Sequence, residues 1–365
     1  MMEERSTSNW FSKPGDSIRA VMQRRGIDPH NLAGLFEGGM ARVRALLDGS
    51  AAIQEDDAVK LSSALGANPK FWLTRQENFD AAVSRAVERI RASEDDDLVL
   101  SIPAPGSKPK GKMSEQRKAE EIRRRLVYFN VPTVSTWETR YGRVVRDTDF
   151  RKSATYSSKD EDTLLWLRRG ELESDMINTR PFNPGNLEDR LEAIRKLSRV
   201  RHPQSFLPKL RTLCAEAGVA LVVVKPPGGC KASGAARMVD PDKAMILLSF
   251  RYRSDDQFWF TVFHEIGHLL LHKADTFLDG DETPFDDKEE EANEFAEGCI
   301  IPELRASEFE RLRADKDSVL RFSVSIGIAP GLTVGQMQHR EMIPRNKLNY
   351  LKRRWGWDEI DPALP

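Results

Sequence analysis

The sequence predicts a multidomain protein that is mainly α-helical and has an α+β part at its C-terminal end. Its length of 365 residues suits two or three domains, and a hydrophobic content of 39% supports packed cores. Apolar residues recur at helical spacing through most of the chain. Two short aliphatic runs, at residues 219–224 and 244–249, are typical of strands and predict a small sheet.

The composition excludes several classes of protein. The formal net charge of −1 provides no general attraction to nucleic acid, so any DNA binding would need a local surface. Cys214, Cys230 and Cys299 are far apart and form no CxxC pair, which predicts reduced thiols and no cysteine zinc site. The apolar runs are too short to span a membrane, and the first residues contain no apolar signal region. We therefore expect a cytoplasmic protein without membrane contact.

Residues 12–91 predict a compact helical domain. Short helices are expected at residues 16–25, 31–36, 40–47 and 55–65, followed by a longer helix from residue 69, with glycines at the breaks. The apolar positions of these helices, Leu35 and Val59 among them, should form one small core.

The order of these helices, the Leu32-Ala33 pair, the Leu47-Asp-Gly49 stop and the run Pro69-Lys-Phe-Trp-Leu73 resemble the helix-turn-helix domain of XRE/HigA-type antitoxins. The resemblance implies that the helix at residues 40–47 enters the major groove of DNA, with Arg42 and Arg44 as candidate contacts. The alternative is a module that serves dimerisation or partner docking, and a homodimer is compatible with both.

The next two segments connect the domains. Residues 92–113 mix acidic residues, proline, glycine and lysine with few apolar residues, which predicts a linker. Residues 114–205 form a helical connecting segment, with charged helices expected at residues 114–127, 157–169 and 187–200. No chemistry is assigned to either segment.

Residues 206–365 predict the α+β domain. A helix at residues 206–218 precedes the two strands, and the glycine-rich residues 228–234 connect the strands without the residue order of a phosphate-binding loop. Residues 347–357 interleave basic and aromatic residues and predict an amphipathic helix that closes the domain.

The apolar helical run at residues 260–271 contains three ionisable residues in the pattern HExxH. On a helix, His264 and His268 lie one turn apart, so two imidazole nitrogens can bind one metal ion. Glu265 faces the same cleft, where its carboxylate can accept a proton from water activated by the metal. The pattern therefore predicts one zinc ion per chain and a catalytic role for Glu265.

Two histidines need a third protein ligand to hold zinc tightly. His272 lies one turn after His268, but on a straight helix it would point away from the metal. A second helix is expected at residues 287–298, where Glu289 and Asn293 share a face. Glu289 could bind zinc while the Asn293 amide supports a histidine ligand, and the small Ala292 and Ala296 would let the two helices approach closely. Glu290 and Glu291 are alternative ligands.

The run from His264 to His272, the pair Glu289 and Asn293 with the following Phe-Ala296, and Ile301-Pro302 resemble the ImmA/IrrE family of metallopeptidases. This resemblance implies a zincin-like domain in which His264, His268 and Glu289 bind zinc and Glu265 is the catalytic base. It also implies a protein substrate, a repressor or antitoxin, whose cleavage controls stress, mobile-element or phage-defence genes. The alternative is an antitoxin or DNA-binding transcriptional regulator whose zinc domain senses or docks a partner without efficient proteolysis.

Overall fold

The computed structural model describes residues 11–106, 111–146, 158–272, 277–280 and 287–364. The chain forms two compact units, Met1–Arg168 and Arg169–Pro365. The boundary between the units lies in the segment predicted to be a helical connection.

The described part of the first unit is helical. Its first five helices agree with the prediction to within a few residues, because glycine, proline and capping residues end or begin each of them. The helices are α1 (Pro14–Arg25), α2 (Pro29–Ala33), α3 (Gly39–Asp48), α4 (Glu55–Leu65), α5 (Pro69–Ala92), α6 (Asp96–Ser101), α7 (Glu115–Phe129) and α8 (Val134–Arg146).

The first five helices bury most of the predicted apolar positions, and Ile18, Val43 and Leu61 have no exposed surface. The prediction was wrong for Leu35 and Val59, which are 46% and 57% exposed. On α4 the inner face instead includes Ala58, Leu61 and Leu65, so Val59 falls on the outer face.

The segment predicted as a linker contains structure of its own. Helix α6 lies within it, Val99 and Ile102 are buried, and Arg125 Nε of α7 donates a hydrogen bond of 2.8 Å to the Ile102 carbonyl. Residues 107–110 of this segment lie outside the described residues.

The connecting segment differs from its prediction in three places, of which the first is helix α8 (Val134–Arg146), which the sequence did not predict. Helix α9 (Ser158–Ser174) extends beyond the expected end and contains the boundary between the units. The helix expected at residues 187–200 is wrong, because the chain turns at Asp189 and Arg190 and forms α10 (Pro184–Glu188) and α11 (Leu191–Leu197).

The second unit combines a small sheet with helices. After α12 (Pro203–Glu216) come β1 (Val219–Val223), β2 (Ala232–Asp240), β3 (Lys243–Leu248), α13 (Asp255–Leu271), β4 (Phe277–Gly280) and α14 (Asp287–Ile300). The remaining helices are α15 (Ala306–Glu310), α16 (Lys316–Ile326), α17 (Pro330–His339) and α18 (Trp357–Ile360).

The sheet has the strand order β1-β3-β2-β4. Strands β1 and β4 therefore lie at its edges. Strands β1 and β3 are parallel, whereas β2 runs antiparallel to both β3 and β4. The sequence predicted β1 and β3 but neither β2 nor β4. Strand β2 begins Ala-Ser-Gly-Ala-Ala, a run of low β propensity. It is a strand because it forms backbone hydrogen bonds with β3.

Helix α13 lies at the centre of the second unit. It contacts β2 and β3 on one side and the helices α14 and α17 on others. Its side chains from Phe258 to Ile266 are largely buried in the same apolar cluster as β1, β3 and α12. Because α13 lies at the centre of the unit, the side chains of His264, Glu265 and His268 are buried and shielded from bulk water.

The C-terminal segment closes the domain in another way than predicted. Residues 347–357 contain a short 3-10 turn, Asn349–Leu351, rather than an amphipathic helix. The Arg353 amide donates a hydrogen bond of 3.0 Å to Asp255, and Lys352 forms an ion pair of 2.6 Å with Asp256. After this turn Lys352 is extended, and Arg354 forms an isolated antiparallel β-bridge with Ser254 just before α13.

A search for membrane spans within the described ranges finds no single helix with enough length and apolar content to cross a bilayer; α16 and α17 meet that criterion only together, across a bend of 110°.

Candidate metal centre

Helix α13 places His264 and His268 on one face, as the spacing predicts. Both side chains are buried, with exposed fractions of 1% and 0%. Their Nε2 atoms lie 2.9 Å apart. Helix α13 can form here because Ser254 precedes it in an extended conformation and two acidic residues, Asp255 and Asp256, occupy its first turn.

Helix α14 brings Glu289 to the same point. The Oε2 atom of Glu289 lies 3.3 Å from His264 Nε2, and its Oε1 atom lies 3.3 Å from His268 Nε2. One ligand atom from each of the three residues falls within 4.8 Å of the others. Glu290 is exposed, and Glu291 is directed to another partner. The structure therefore joins the predicted trio of His264, His268 and Glu289.

The opposite nitrogen of His264 is held by Asn293. The His264 Nδ1 atom lies 3.0 Å from Asn293 Oδ1. Because an amide oxygen only accepts, Nδ1 carries the proton and donates it, which leaves the Nε2 lone pair directed at the cluster. This arrangement corresponds to the supporting role predicted for Asn293.

His268 is held by a chain of two further residues. Its Nδ1 atom lies 3.1 Å from His272 Nδ1, and the His272 Nε2 atom lies 2.8 Å from Glu291 Oε2. The carboxylate accepts from His272 Nε2, so His272 Nδ1 is the acceptor and His268 Nδ1 the donor. His272 and Glu291 thus hold His268 in place rather than join the cluster, a role that the sequence does not predict for either residue.

The donor set fits a zinc ion. Both hydrogen-bond chains leave an Nε2 lone pair on each histidine, and two lone pairs facing each other at 2.9 Å repel unless a cation lies between them. Ligands placed tetrahedrally at about 2.1 Å from zinc are separated by about 3.4 Å. The distances of 2.9, 3.3 and 3.3 Å among the three residues are close to that value.

The charges of the cluster favour metal binding. Burial raises the pKa of Glu289, but the closeness of its carboxylate to His264 and His268 outweighs burial and holds the pKa at about 2. Burial also lowers the pKa of His268, an effect that the nearby Glu289 carboxylate partly opposes. A carboxylate that stays ionised and an imidazole that stays neutral are the forms that bind zinc.

Glu265 has no exposed surface and lies next to β2. A Cβ atom at Gly234 would be 2.3 Å from Glu265 Oε1 and 2.6 Å from Thr261 Cγ2. Only glycine allows the strand to come this close to the helix. The sequence predicts only a connection at residues 228–234, and the signal for this contact is a glycine flanked by the small residues Ser233 and Ala235.

Close packing also joins α13 to α14. A Cβ atom at Gly267 would lie 3.1 Å from Phe295 Cδ1 and 3.3 Å from Ala292 Cα. Ala292 and Ala296 are fully buried, in agreement with the close approach predicted from their size. This contact sets the distance across which Glu289 reaches the histidines.

The two arginines predicted to contact DNA belong to α3. Arg42 Nε donates a hydrogen bond of 3.2 Å to Asp57 of α4, and its Nη2 atom donates one of 3.1 Å to the Ala52 carbonyl. Arg44 is half-buried. Arg42 thus joins α3 to α4, and DNA contact by either residue stays a prediction.

Comparison with known proteins agrees with the geometry of the second unit. Residues 220–329 match the family model described as the IrrE N-terminal-like domain, Peptidase_M78. The match supports a metallopeptidase-type function for this part of the chain. More narrowly, it supports the resemblance to the ImmA/IrrE family. A search of curated proteins returned no match.

Proposed function

We propose that the chain is a zinc-dependent endopeptidase of the HExxH type, coupled to an N-terminal helix-turn-helix module. One observation carries the proposal: ligand atoms of His264, His268 and Glu289 lie within 4.8 Å of one another, beside the fully buried Glu265. A structural metal site has no use for a buried carboxylate in that position, whereas hydrolysis of a peptide bond requires a base there.

The residues of the site have separate tasks. A zinc ion held by His264, His268 and Glu289 would supply Lewis-acid polarisation of the substrate carbonyl and would make water more acidic. Glu265 accepts the proton of the attacking water and transfers it to the leaving nitrogen. Burial of Glu265 keeps this proton transfer away from bulk water.

The supporting hydrogen bonds keep both imidazoles in one tautomer. Asn293 accepts from His264, and His272 accepts from His268. Each bond fixes a ring so that its Nε2 lone pair points to the cluster, which increases metal affinity.

The substrate that we propose is a transcriptional repressor or an antitoxin. Support comes from the resemblance of residues 12–91 to XRE/HigA-type domains and of the second unit to ImmA/IrrE peptidases. Cleavage of such a protein in the cytoplasm would release stress, mobile-element or phage-defence genes, and the N-terminal module would bring the peptidase to DNA, to a partner or to a second copy of the chain.

The test is to measure zinc content and cleavage on the full chain. We expect about one zinc per chain in the wild type and loss of zinc in His264→Ala and His268→Ala. We expect the purified protein to cleave a repressor encoded next to it. Glu265→Gln should abolish cleavage while zinc is retained, because the amide cannot accept the proton.

The same measurements distinguish the alternative. Retained zinc without cleavage of any co-encoded repressor would contradict the peptidase proposal and favour a regulator whose metal domain docks a partner. A chain without zinc in both wild type and variants would exclude the metal site itself.

A further inference from the structure

The face of α14 that carries Glu289 extends beyond the candidate metal centre. Glu289, Asn293 and Glu297 follow one another at intervals of four residues, so they share one face of the helix. Glu289 lies close to both histidines of the cluster, whereas Asn293 contacts His264. Glu297 therefore lies one turn further along, on the His264 side of the cluster.

His339, at the C-terminal end of α17, meets this face of α14. Its Nε2 atom lies 3.1 Å from Glu297 Oε1, and Arg340 Nη2 donates a hydrogen bond of 2.9 Å to the other oxygen of the same carboxylate. The guanidinium carbon of Arg340 also lies 5.4 Å from the centroid of the Phe309 ring. Glu297 is thus held by two partners, and Arg340 still joins α17 to α14 when His339 is replaced.

An aromatic side chain connects His339 to the metal centre. The centroid of the Phe260 ring lies 6.1 Å from that of the His264 ring and 6.3 Å from that of the His339 ring. Together the two steps keep the His339 ring within about 12 Å of the His264 ring, which is the span of about four residues of an extended peptide. A peptide that is cleaved at the cluster can therefore reach His339.

His339 combines an exposed ring with a fixed partner. Its side chain is 61% exposed, whereas that of Glu297 is 21% exposed. A carboxylate only accepts hydrogen bonds, so it favours the imidazole tautomer with the proton on Nε2. Nδ1 then keeps a lone pair, and within the described ranges it forms no hydrogen bond. The ring thus presents a hydrogen-bond acceptor to the solvent beside the metal centre.

We propose that Nδ1 of His339 accepts a hydrogen bond from a main-chain N–H group of the protein substrate, at a residue within about four of the cleaved bond. The proposal rests on the peptidase function proposed above. Every residue of a peptide except proline carries such an N–H group. The contact therefore holds the substrate beside the cluster without selecting a particular side chain.

The experiment uses a library of random decapeptides and the zinc-loaded full chain. A peptide that the wild type cleaves and Glu265→Gln does not is remade with one main-chain nitrogen methylated at a time, which removes that N–H group. We expect methylation at one position within about four residues of the cleaved bond to lower kcat/KM about tenfold in the wild type.

The comparison with His339→Ala identifies the partner of that N–H group. In this variant the kcat/KM of the unmodified peptide should already be about tenfold lower, and the same methylation should have no further effect. Methylation effects of equal size in both enzymes at every position would overturn the contact and leave the peptidase proposal intact.

Two further variants separate the roles of the two ring nitrogens. The Asn side chain places a polar atom near the position of Nδ1, and the longer Gln side chain places one near the position of Nε2. His339→Asn should therefore keep more of the wild-type kcat/KM than His339→Gln. The opposite order would assign the effect to the pairing with Glu297 and reject the substrate contact.

His202→Ala is the matched control. His202 is 59% exposed and its Nδ1 atom lies 3.6 Å from Glu359, so this variant also removes an exposed histidine that is paired with a glutamate. It should leave kcat/KM unchanged. The zinc affinity of His339→Ala, measured by competition with a chelator, should equal that of the wild type, because Asn293 holds His264. A weaker zinc affinity in His339→Ala would show that the residue supports the metal site instead.

Binding decides the question if no decapeptide is cleaved. The zinc-loaded Glu265→Gln chain is titrated with a pool of fluorescent decapeptides. We expect the pool to bind about tenfold more weakly when His339→Ala is added and equally well when His202→Ala is added. Equal binding with and without His339→Ala overturns the contact. A chain that neither cleaves nor binds any decapeptide contradicts the peptidase proposal and this one together.

Discussion

At the scale of single residues, the position of His268 in the candidate metal centre depends on His272, which lies outside the cluster. His272 is 8% exposed and connects His268 to Glu291. On a straight helix, a third histidine one turn further on points away from the position of the metal. Here that direction places His272 Nδ1 3.1 Å from His268 Nδ1, the ring nitrogen that faces away from the cluster. The sequence contained both histidines, but their relation depends on where α14 places Glu291.

We expect His272→Ala to lower the zinc affinity of the full chain by roughly tenfold to a hundredfold, because His268 then loses the acceptor that fixes its tautomer. Competition with a chelator measures the affinity. Glu291→Gln should have a smaller effect, since its side chain is 60% exposed. Glu290→Gln, at an exposed neighbouring position, is the control. An unchanged affinity in His272→Ala would contradict the supporting role.

At the scale of elements, the N-terminal end of α13 carries an acidic pair that the C-terminal segment covers. Burial and the charge of Asp256 raise the pKa of Asp255 to about 7, which the hydrogen bond from the Arg353 amide only partly opposes. Lys352 compensates Asp256 with an ion pair of 2.6 Å. The proton on Asp255 therefore contributes to the stability of the folded chain.

The pH dependence follows from the direction of this shift. The pKa of Asp255 is higher in the folded chain than its ordinary value of 3.8, so the stabilisation is complete below about pH 4 and is lost as the pH rises through about 7. We expect the free energy of unfolding of Asp255→Asn not to fall as the pH rises through 7, since the amide resembles the protonated acid at every pH. Denaturation of wild type and variant at pH 5 and pH 8 measures it.

Asp256→Asn tests the neighbouring charge. It removes the ion pair with Lys352 and should lower the free energy of unfolding, but because it also removes a charge that raises the pKa of Asp255, the decrease should be larger at pH 5 than at pH 8. An Asp255→Asn variant whose stability falls between pH 5 and pH 8 as steeply as that of the wild type would show that another group causes the dependence.

Prediction from sequence was most accurate for elements whose signals are local. The boundaries of α4, Glu55 and Leu65, are those expected, because Gln54 and Gly66 cap its two ends. Strand β2 was missed because its alanines, serine and glycine prefer no strand, and only its neighbours β3 and β4 make it one. The helix expected at residues 347–357 was wrong because Lys352 and Arg353 contact Asp256 and Asp255 at the start of α13, which an uninterrupted helix would not provide for.

At the scale of the whole molecule, the chain combines a helical first unit with a second unit that contains the metallopeptidase-type domain. Helices α1 to α5 of the first unit surround one buried core. Arg42 links α3 to α4 through Asp57, so replacing Arg42 would disturb the unit itself. Arg44 is the better position at which to test DNA binding.

If the first unit reads DNA, the full chain should bind a duplex from the promoter of its own gene. Arg44→Ala should weaken that binding roughly tenfold, the effect of losing one base contact. Fluorescence anisotropy at fixed salt measures it, and Arg313→Ala in the second unit is the charge-matched control. A full chain that binds no promoter DNA would indicate a dimerisation or docking module instead.

The sequence by itself determined the first five helices and the one-turn spacing of His264 and His268, because both depend on interactions within a few residues. Only the tertiary structure decided that Glu289, rather than Glu290 or Glu291, faces the two histidines and that Gly234 meets Glu265. The three glutamates are chemically alike and adjacent. Which of them reaches the cluster is set by the packing of α14 against Gly267, a contact between residues far apart in the chain.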